Sequence, residues 1–454
     1  MTATCERPDD LSRARLPGAR AAVDDPAPRA DGRRGAALVL AAIVLVAANL
    51  RLAVSATGAL LTSLSGSLHL GSAVTSFLPS IWTVAFAFGG LAGSPLARRF
   101  GVDRVITGSL AALIAGSVLR GFSSEAALLA GSLLAGLGIA LANVLLPAVS
   151  RSYFPTRIGL VTGLYGTALT GGAAVSALVA VPAANAFGGP SLGLAVWAAP
   201  AFVALLAWYG ARGLRASRAS RVSQRSAGDI SAHARAHAHV PLRALTHSKL
   251  VWAMTALFAL QSACAYVVMG YLPTIFEDAG MTAAHAGALL SATFFLGIPV
   301  SFAVPLLGAR MRDQRVLILA LSAAFFAGFV GLALAPAALA WLWVALIAIG
   351  MSVFQLVLAL IGLRGGTPAG TTALSTFAQS LGYFGAAGAP FAAGMLHDAM
   401  GSWRVPLLAM AVLVVGQGAV GLYVASGRRG TLDAELRRDG ERTDSVRARL
   451  ELEG

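Results

Sequence analysis

One basic side chain lies inside an apolar segment of this chain, where an ionised group is costly. Arg51 follows Ala48-Asn49-Leu50 in an apolar run that begins near residue 36. At 1.5 Å per helical residue, Arg51 lies ~22 Å from the start of that run. A charged side chain inside a membrane span costs at least ~2.5–3.5 kcal/mol on insertion scales, so its presence needs a reason. The alternatives to a ligand are a structural bond to backbone carbonyls or extension of the side chain toward water.

The acidic residues are placed so that none is an obvious partner for Arg51. Of the 20 aspartates and glutamates, six fall within 1–31, seven in the C-terminal tail and the others in loops or at the ends of apolar segments. A guanidinium binds carboxylate-like planar groups through two parallel hydrogen bonds, so an unpaired one predicts an anion site. The same distribution argues against proton coupling through a buried carboxyl group and against a cation-selective drug pump.

Polar and aromatic side chains in the apolar segments fall into two layers by depth. The upper layer, roughly 20–24 Å from the inner edge, is cationic and aromatic, and the lower, at roughly 10–17 Å, holds amides and one tyrosine. Together with Asn49, the candidate binding residues are Arg51, Trp82, Tyr266 and Tyr383 in the upper layer and Asn143, Tyr165, Gln261, Gln355 and Gln379 in the lower layer. Such a cavity suits a small polar anion or a planar heteroaromatic molecule. The structural alternatives are interhelical hydrogen bonds and packing.

The elements that must position these residues are long apolar segments. The chain is 57% apolar and 12% charged, whereas an average soluble domain is about a quarter charged. Twelve segments approach the ~20 helical residues that cross a hydrocarbon core of ~30 Å. They lie at roughly 36–64, 72–96, 104–120, 125–150, 157–184, 191–210, 250–272, 283–307, 316–335, 338–363, 370–396 and 404–426. The predicted fold class is an all-α polytopic membrane protein.

The charge pattern predicts the orientation in the membrane. The formal net charge is +14, and 31 of the 34 lysines and arginines fall in the tails and the loops that share their side. Only Arg120 and Arg404 lie in loops on the opposite side, so both termini are expected in the cytoplasm. Because no basic region is interleaved with aromatic residues, we expect no nucleic-acid partner. The partners expected are a small solute and the lipid bilayer.

The segments divide into two sets of six. We expect a disordered tail over 1–35, a six-helix bundle over 36–210, a cytoplasmic linker over 211–249, a second bundle over 250–426 and a C-terminal tail over 427–454. The four linker histidines, of which His247 is the last, fit a solvated linker better than a metal site. No metal or other cofactor is expected. A similarity between the halves at shifts of 211 and 212 residues favours two parallel six-helix repeats.

Several local motifs carry a resemblance to a known family. They are Ala48-Asn49-Leu50-Arg51, the run from Leu137 to Pro147 around Asn143, Thr162-Gly163-Leu164-Tyr165, and Gly270-Tyr271-Leu272-Pro273. With these motifs the chain, over about 36–425, resembles the cyanate and nitroimidazole transporter family of the major facilitator superfamily. In that family proline usually follows the Asn-Leu-Arg motif, where this chain has Leu52. The resemblance implies alternating access between two six-helix halves, with spans one, four, seven and ten lining the cavity.

The sequence leaves more than one function open. The favoured hypothesis is a secondary transporter of a small anionic or planar polar solute in the cytoplasmic membrane, acting as a monomer. The alternatives are efflux of neutral heterocyclic compounds, for which Trp82 and the tyrosines matter more than Arg51, and a membrane sensor that binds without transport. The chain has no HExxH or GxSxG motif and no acid pair within a span, so we do not expect an enzyme.

Overall fold

The described part of the chain consists of helices that follow the predicted apolar segments. A computed structural model describes residues 30–154, 158–211, 242–366 and 368–426, together with Gly430, Leu432 and Glu435, and these residues contain no β-strand. In the first half the helices are α1 (Ala30–Ala59), α2 (Leu61–Leu68), α3 (Ser72–Phe77), α4 (Ile81–Phe100), α5 (Val102–Leu119), α6 (Glu125–Tyr153), α7 (Ile158–Ala186), α8 (Pro190–Ala195) and α9 (Ala198–Gly210). In the second half they are α10 (Leu242–His247), α11 (Lys249–Asp278), α12 (Ala283–Arg310), α13 (Arg315–Leu334), α14 (Ala340–Met351), α15 (Val353–Gly365), α16 (Pro368–Met400) and α17 (Arg404–Ala425).

Twelve stretches of the described chain, each made of one helix or of consecutive helices, are long enough to cross a membrane, which agrees with the prediction. Eleven of the described stretches are also apolar enough by composition. The twelfth is α16, a 33-residue helix that is rich in glycine, serine and threonine. Small residues of this kind let membrane helices approach one another closely, so a less apolar helix that packs on several neighbours is expected here.

The predicted tails and linker differ from the structure at their edges. Helix α1 begins at Ala30, six residues before the predicted start of the first span, because a helix satisfies its own backbone hydrogen bonds and extends past the apolar core. Residues 242–247, predicted as linker, form α10, and Leu245 in it is buried. The remainder of the linker with its other three histidines, the tail 1–29 and most of the C-terminal tail lie outside the described residues.

The helices of each half pack mainly on one another, and a smaller set joins the halves. In the first half α1 packs on α7 and α9, while α6 packs on α4 and α5. In the second half α11 packs on α16 and α17, while α13 packs on α14 and α17. Between the halves, α7 packs on α12, α4 on α16, and α1 on α11. The first and seventh spans therefore face each other along the boundary between the halves.

The halves contact each other at the end that carries α2, α3 and the loop Gly401–Trp403, which is the outer end in the predicted orientation. A Cβ on Gly58 of α1 would lie 2.0 Å from the carbonyl oxygen of Met269 in α11. Tyr271 donates a hydrogen bond of 3.0 Å to the carbonyl oxygen of Ser76. Asp398 of α16 accepts hydrogen bonds from the hydroxyls of Ser72 and Ser76. These contacts close the outer end between the two halves.

Candidate solute-binding site

Arg51 lies on α1 where that helix faces α11 of the other half. Its Nη1 atom is 3.4 Å from the hydroxyl of Tyr266 and 3.1 Å from the sulfur of Met269. Tyr266 and Met269 are three residues apart on α11, so they project from one face of that helix. Neither contact carries a charge, and within the described residues no carboxylate pairs with the partly buried Arg51. The guanidinium is therefore held by neutral groups.

Aromatic rings surround the guanidinium on the side of the second half. The Cζ atom of Arg51 is 5.6 Å from the ring centroid of Tyr266 and 6.0 Å from that of Phe354, within the range of cation–π attraction. Tyr383 lies 6.2 Å from Tyr266, and Phe86 of the first half contacts both tyrosines at 5.8 and 5.3 Å between centroids. The rings meet edge to face, an arrangement that holds each ring in place.

The tenth span is interrupted near this group. Helix α14 ends at Met351 and α15 begins at Val353, and the backbone N–H of Gln355 bonds to Ser352 at 3.1 Å. The carbonyl of Met351, which an uninterrupted helix would pair with Gln355, instead accepts a hydrogen bond of 3.1 Å from Nε2 of Gln261 on α11. Backbone freed within a membrane must find such a partner, and broken spans are a recurring feature of solute sites in transporters. The break also places Phe354 beside Arg51.

Replacing Gln261 by Leu should lower the free energy of unfolding by about 1 kcal/mol, because the Met351 carbonyl is left unpaired within the protein. The measurement is the thermal unfolding midpoint of the purified protein in detergent. Gln379→Leu is the matched control, since among the described residues the amide of Gln379 bonds to Ser375 of its own helix and the residue is partly buried. Equal midpoints for the two variants would remove the assigned role of Gln261 at the helix break.

The other predicted binding residues do not all join the Arg51 group. Asn49 is 3% exposed, and its Nδ2 donates to the carbonyls of Leu45 at 2.8 Å and Pro200 at 3.2 Å, so its amide ties α1 to α9. The predicted lower layer is partly buried apart from Gln261, which is buried, and the Oε1 atoms of Gln261 and Gln355 are buried without a hydrogen-bond partner in the described chain. Tyr165 packs against the apolar core from α7.

A narrow cavity opens next to Arg51, between α1, the start of the second span and α11. It is lined by Val54, Thr57, Gly58, Pro79, Trp82, Tyr266, Met269 and Gly270. Tyr266 and Met269 are the two side chains that contact Nη1 of Arg51. The cavity therefore brings Trp82 and Tyr266, two members of the predicted upper layer, into one wall beside the cation. Its lining is apolar except for hydroxyl groups, and its volume of about 10 Å³ has room for about one water molecule.

Arg120 was not among the candidate binding residues. The sequence placed it in an outer loop, but it is 0% exposed and lies at the end of α5. Its Cζ atom is 5.5 Å from the ring of Trp82, and its Nη1 bonds to the hydroxyl of Thr57 at 3.1 Å. The positive-inside rule could have indicated this residue. Basic residues are uncommon in loops on the outer side, so an arginine there is expected to have a specific structural or functional reason.

Comparison with known proteins agrees with the fold and with the resemblance. The chain is 32% identical over 402 residues to the 2-nitroimidazole transporter of Escherichia coli (strain K12), covering 88% of this chain and 97% of that protein. It is 30% identical over 386 residues to the uncharacterized transporter YycB of Bacillus subtilis (strain 168), covering 84% and 92%. It is 28% identical over 392 residues to the cyanate transport protein CynX of Escherichia coli (strain K12), covering 86% and 98%. These relatives are transporters, which confirms the expectation that the chain is not an enzyme.

A solved structure shows the same architecture. The inward-open xylose transporter XylE from E. coli superposes with a TM-score of 0.69 and 14% identity, covering 87% of this chain and 98% of that one. At this identity the likeness concerns the fold alone. The model of the Major Facilitator Superfamily matches residues 43–384, which span both halves and every helix that contributes to the cavity. On this match and on its relatives, the chain belongs to the Major Facilitator Superfamily.

Proposed function

We propose that this protein is a secondary transporter that moves a small anionic or planar polar solute across the cytoplasmic membrane, with Arg51 binding the negative end of the solute. The observation that carries the proposal is the position of Arg51 between the halves, where its contacts are a hydroxyl, a thioether and two aromatic rings. A guanidinium partly removed from water with neutral neighbours gains strongly from an arriving anion. A favourable free energy of anion binding at Arg51 is what a transporter needs in order to bind its solute transiently.

The shape of the surroundings supports a small, flat or linear solute. The rings of Tyr266, Tyr383 and Phe354 offer faces and edges for stacking, and the cavity beside them is narrow. The relatives are named for cyanate, a small linear anion, and for 2-nitroimidazole, a planar heterocycle. Both shapes match an arginine flanked by aromatic rings. We therefore place the solute of this chain in the same size class, with a delocalised charge or a polar group directed at Arg51.

The closed outer end supports alternating access as the mechanism. The contacts between Gly58 and Met269 and between Tyr271 and Ser76 join the halves on that side. A rocking motion of the halves would break these contacts and expose the cavity to the outside. Arg51 and Tyr266 lie on opposite halves, so a solute held by both would be bound between the two moving bodies. A solute that contacts both Arg51 and Tyr266 would therefore couple its own binding to the closure of the two halves.

A second candidate function is the efflux of neutral heterocyclic compounds. The observation that favours it is the wall of the cavity, in which Trp82 is 1% exposed overall but lines the open space together with Tyr266. A neutral ring system would gain from stacking and from loss of contact with water, and would need the guanidinium only as a hydrogen-bond donor.

Comparing Arg51→Ala with Trp82→Ala in proteoliposomes should separate the two functions. For an anionic solute, Arg51→Ala should reduce the uptake of cyanate by more than tenfold, while Trp82→Ala should change it severalfold less. For a neutral solute the order reverses with 2-nitroimidazole as the probe. Uptake is measured with both probes for each variant, and size-exclusion profiles establish that each variant is folded.

Each outcome of this comparison has a distinct meaning. Uptake of cyanate that is unchanged in Arg51→Ala would reject the anion proposal. Saturable binding of either probe without uptake into the wild-type vesicles would favour the sensor over the transporter. To test for a sensor, the binding of each probe is therefore measured on the same purified protein.

A further inference from the structure

A second guanidinium borders the same cavity from the outer side. Two of the cavity-lining residues, Thr57 and Trp82, contact Arg120, and two others, Tyr266 and Met269, contact Arg51. Residues of the cavity wall thus contact both arginines, neither of which lines the open space itself. Arg51 and Thr57 are six residues apart on α1, so the two contact points are roughly 9 Å apart along the helix axis.

The surroundings of Arg120 contain no neutralising charge among the residues that the structure describes. Its Nη1 bonds to Thr57 at 3.1 Å and its Nη2 to Ser117 at 3.4 Å, and both acceptors are uncharged hydroxyls. Its Nε atom is buried without a hydrogen-bond partner in the described part of the chain. Because a buried polar group normally has a partner, this unused donor indicates a missing acceptor. A guanidinium stays protonated in proteins, so the site carries a positive charge.

The close packing of α5 on α6 leaves room for this side chain. A Cβ on Gly131 of α6 would lie 2.6 Å from the carbonyl oxygen of Gly116 and 2.8 Å from Cγ of Arg120, so glycine at that position allows both the approach of the two helices and the aliphatic part of the arginine. On the other side the guanidinium lies over the ring of Trp82 at 5.5 Å. A purely structural function is stabilisation of the carboxyl end of α5, where a cation is favourable. That function would not require Arg120 to bond to Thr57 on a different helix, at the wall of the cavity.

We propose that Arg120 is a second anion-binding site on the transport path, which the solute occupies between the outer solution and the site at Arg51. The inference rests on the proposed function for its substrate class, a small monovalent anion. Trp82 contacts the guanidinium of Arg120 through its ring and also lines the cavity. An anion that moves between the sites stays close to a positive charge over the whole distance, which lowers the cost of crossing an apolar region.

The position of Trp82 gives the experiment its readout. Iodide quenches tryptophan fluorescence by contact, so iodide bound at Arg120 should quench Trp82. Sodium iodide is titrated into the purified full-length protein at constant ionic strength, and the quenching in Trp82→Phe is subtracted to isolate the signal of Trp82. We expect a saturable component in the wild type. Arg120→Gln should weaken its apparent affinity by at least about tenfold, while Arg51→Gln should retain it.

Three results would overturn the proposal: no component that depends on Trp82, a component that Arg120→Gln leaves unchanged, or one that Arg51→Gln abolishes to the same degree. If Arg120→Gln fails to fold, Thr57→Val and Arg120→Lys decide in its place. Thr57→Val removes only the hydroxyl that holds the guanidinium and should weaken the quenching, whereas Arg120→Lys should keep it. Since quenching requires no transport, it can succeed even where the uptake test for Arg51 fails, and the two proposals are judged separately.

Discussion

Replacing Arg51 by Gln should lower the uptake of a small anion such as cyanate by about 10- to 100-fold, which is the range for loss of charge-assisted hydrogen bonds. Glutamine keeps a hydrogen-bond donor near Tyr266 but removes the charge that the proposal requires. Arg51→Lys should give an intermediate rate, because an ammonium keeps the charge and loses the planar, two-pronged geometry. The measurement is the initial rate of uptake into proteoliposomes at matched protein content.

Arg404→Gln is the matched control for this prediction. Arg404 is a cation at the outer end of the last span, and it is exposed and outside the group around Arg51. Its replacement changes the net charge by the same amount, so it should leave the uptake rate within about twofold, as expected for an exposed charge screened by salt. A similar loss in both variants would mean that net charge, and not the site at Arg51, determines the rate.

Replacing Gly58 by Ala should reduce transport by at least about tenfold, because the helices α1 and α11 can no longer approach each other at the outer end. The added methyl group would lie 2.0 Å from the backbone oxygen of Met269, and backbone cannot rotate away as a flexible side chain can. We expect the closed outer end to become unfavourable and the open one to be populated. The solute site would then remain exposed to the outside.

Gly66→Ala is the control, because within the described part of the chain no atom beyond the glycine's own turn of helix lies within 4 Å of the position that its Cβ would occupy. Both variants are combined with Ser76→Cys, since Ser76 is 2% exposed in the closed arrangement. A membrane-impermeant maleimide added outside should label the cysteine faster in Gly58→Ala than in Gly66→Ala. Normal uptake with unchanged labelling in Gly58→Ala would contradict the assignment of this contact to closure.

The membrane architecture could be predicted from the sequence, because lipid imposes a simple rule. Every spanning segment must satisfy its backbone internally and present mainly apolar side chains, so the pattern of apolar segments predicted the eleven strongly apolar spans and also included the less apolar, glycine-rich α16. The break between Met351 and Val353 could not be predicted. It depends on Gln261, ninety positions away in the chain, which supplies the donor for the freed carbonyl. A pairing of this kind becomes visible only when two helices are placed side by side.

The candidate site was partly predictable for a similar reason. Depth arithmetic placed Arg51, Tyr266 and Tyr383 at one level, and their rings and guanidinium do contact one another or a shared neighbour. Depth does not give the direction in which a side chain points. Asn49, two residues from Arg51, is turned toward Pro200, and Arg120 at a span end is turned inward. Helix rotation is set by packing against neighbours, and no single segment contains that information.

The guanidinium of Arg51, held by neutral groups among the described residues, should receive the charged end of the solute. A crystal structure of the full chain with selenocyanate would locate that end, since selenium scatters anomalously and the ion resembles cyanate in shape and charge. We expect an anomalous peak against the Arg51 guanidinium and the Tyr266 hydroxyl. A structure in which Arg51 pairs with a carboxylate or a backbone carbonyl, with no peak beside it, would overturn the assignment of Arg51 as the anion-binding residue.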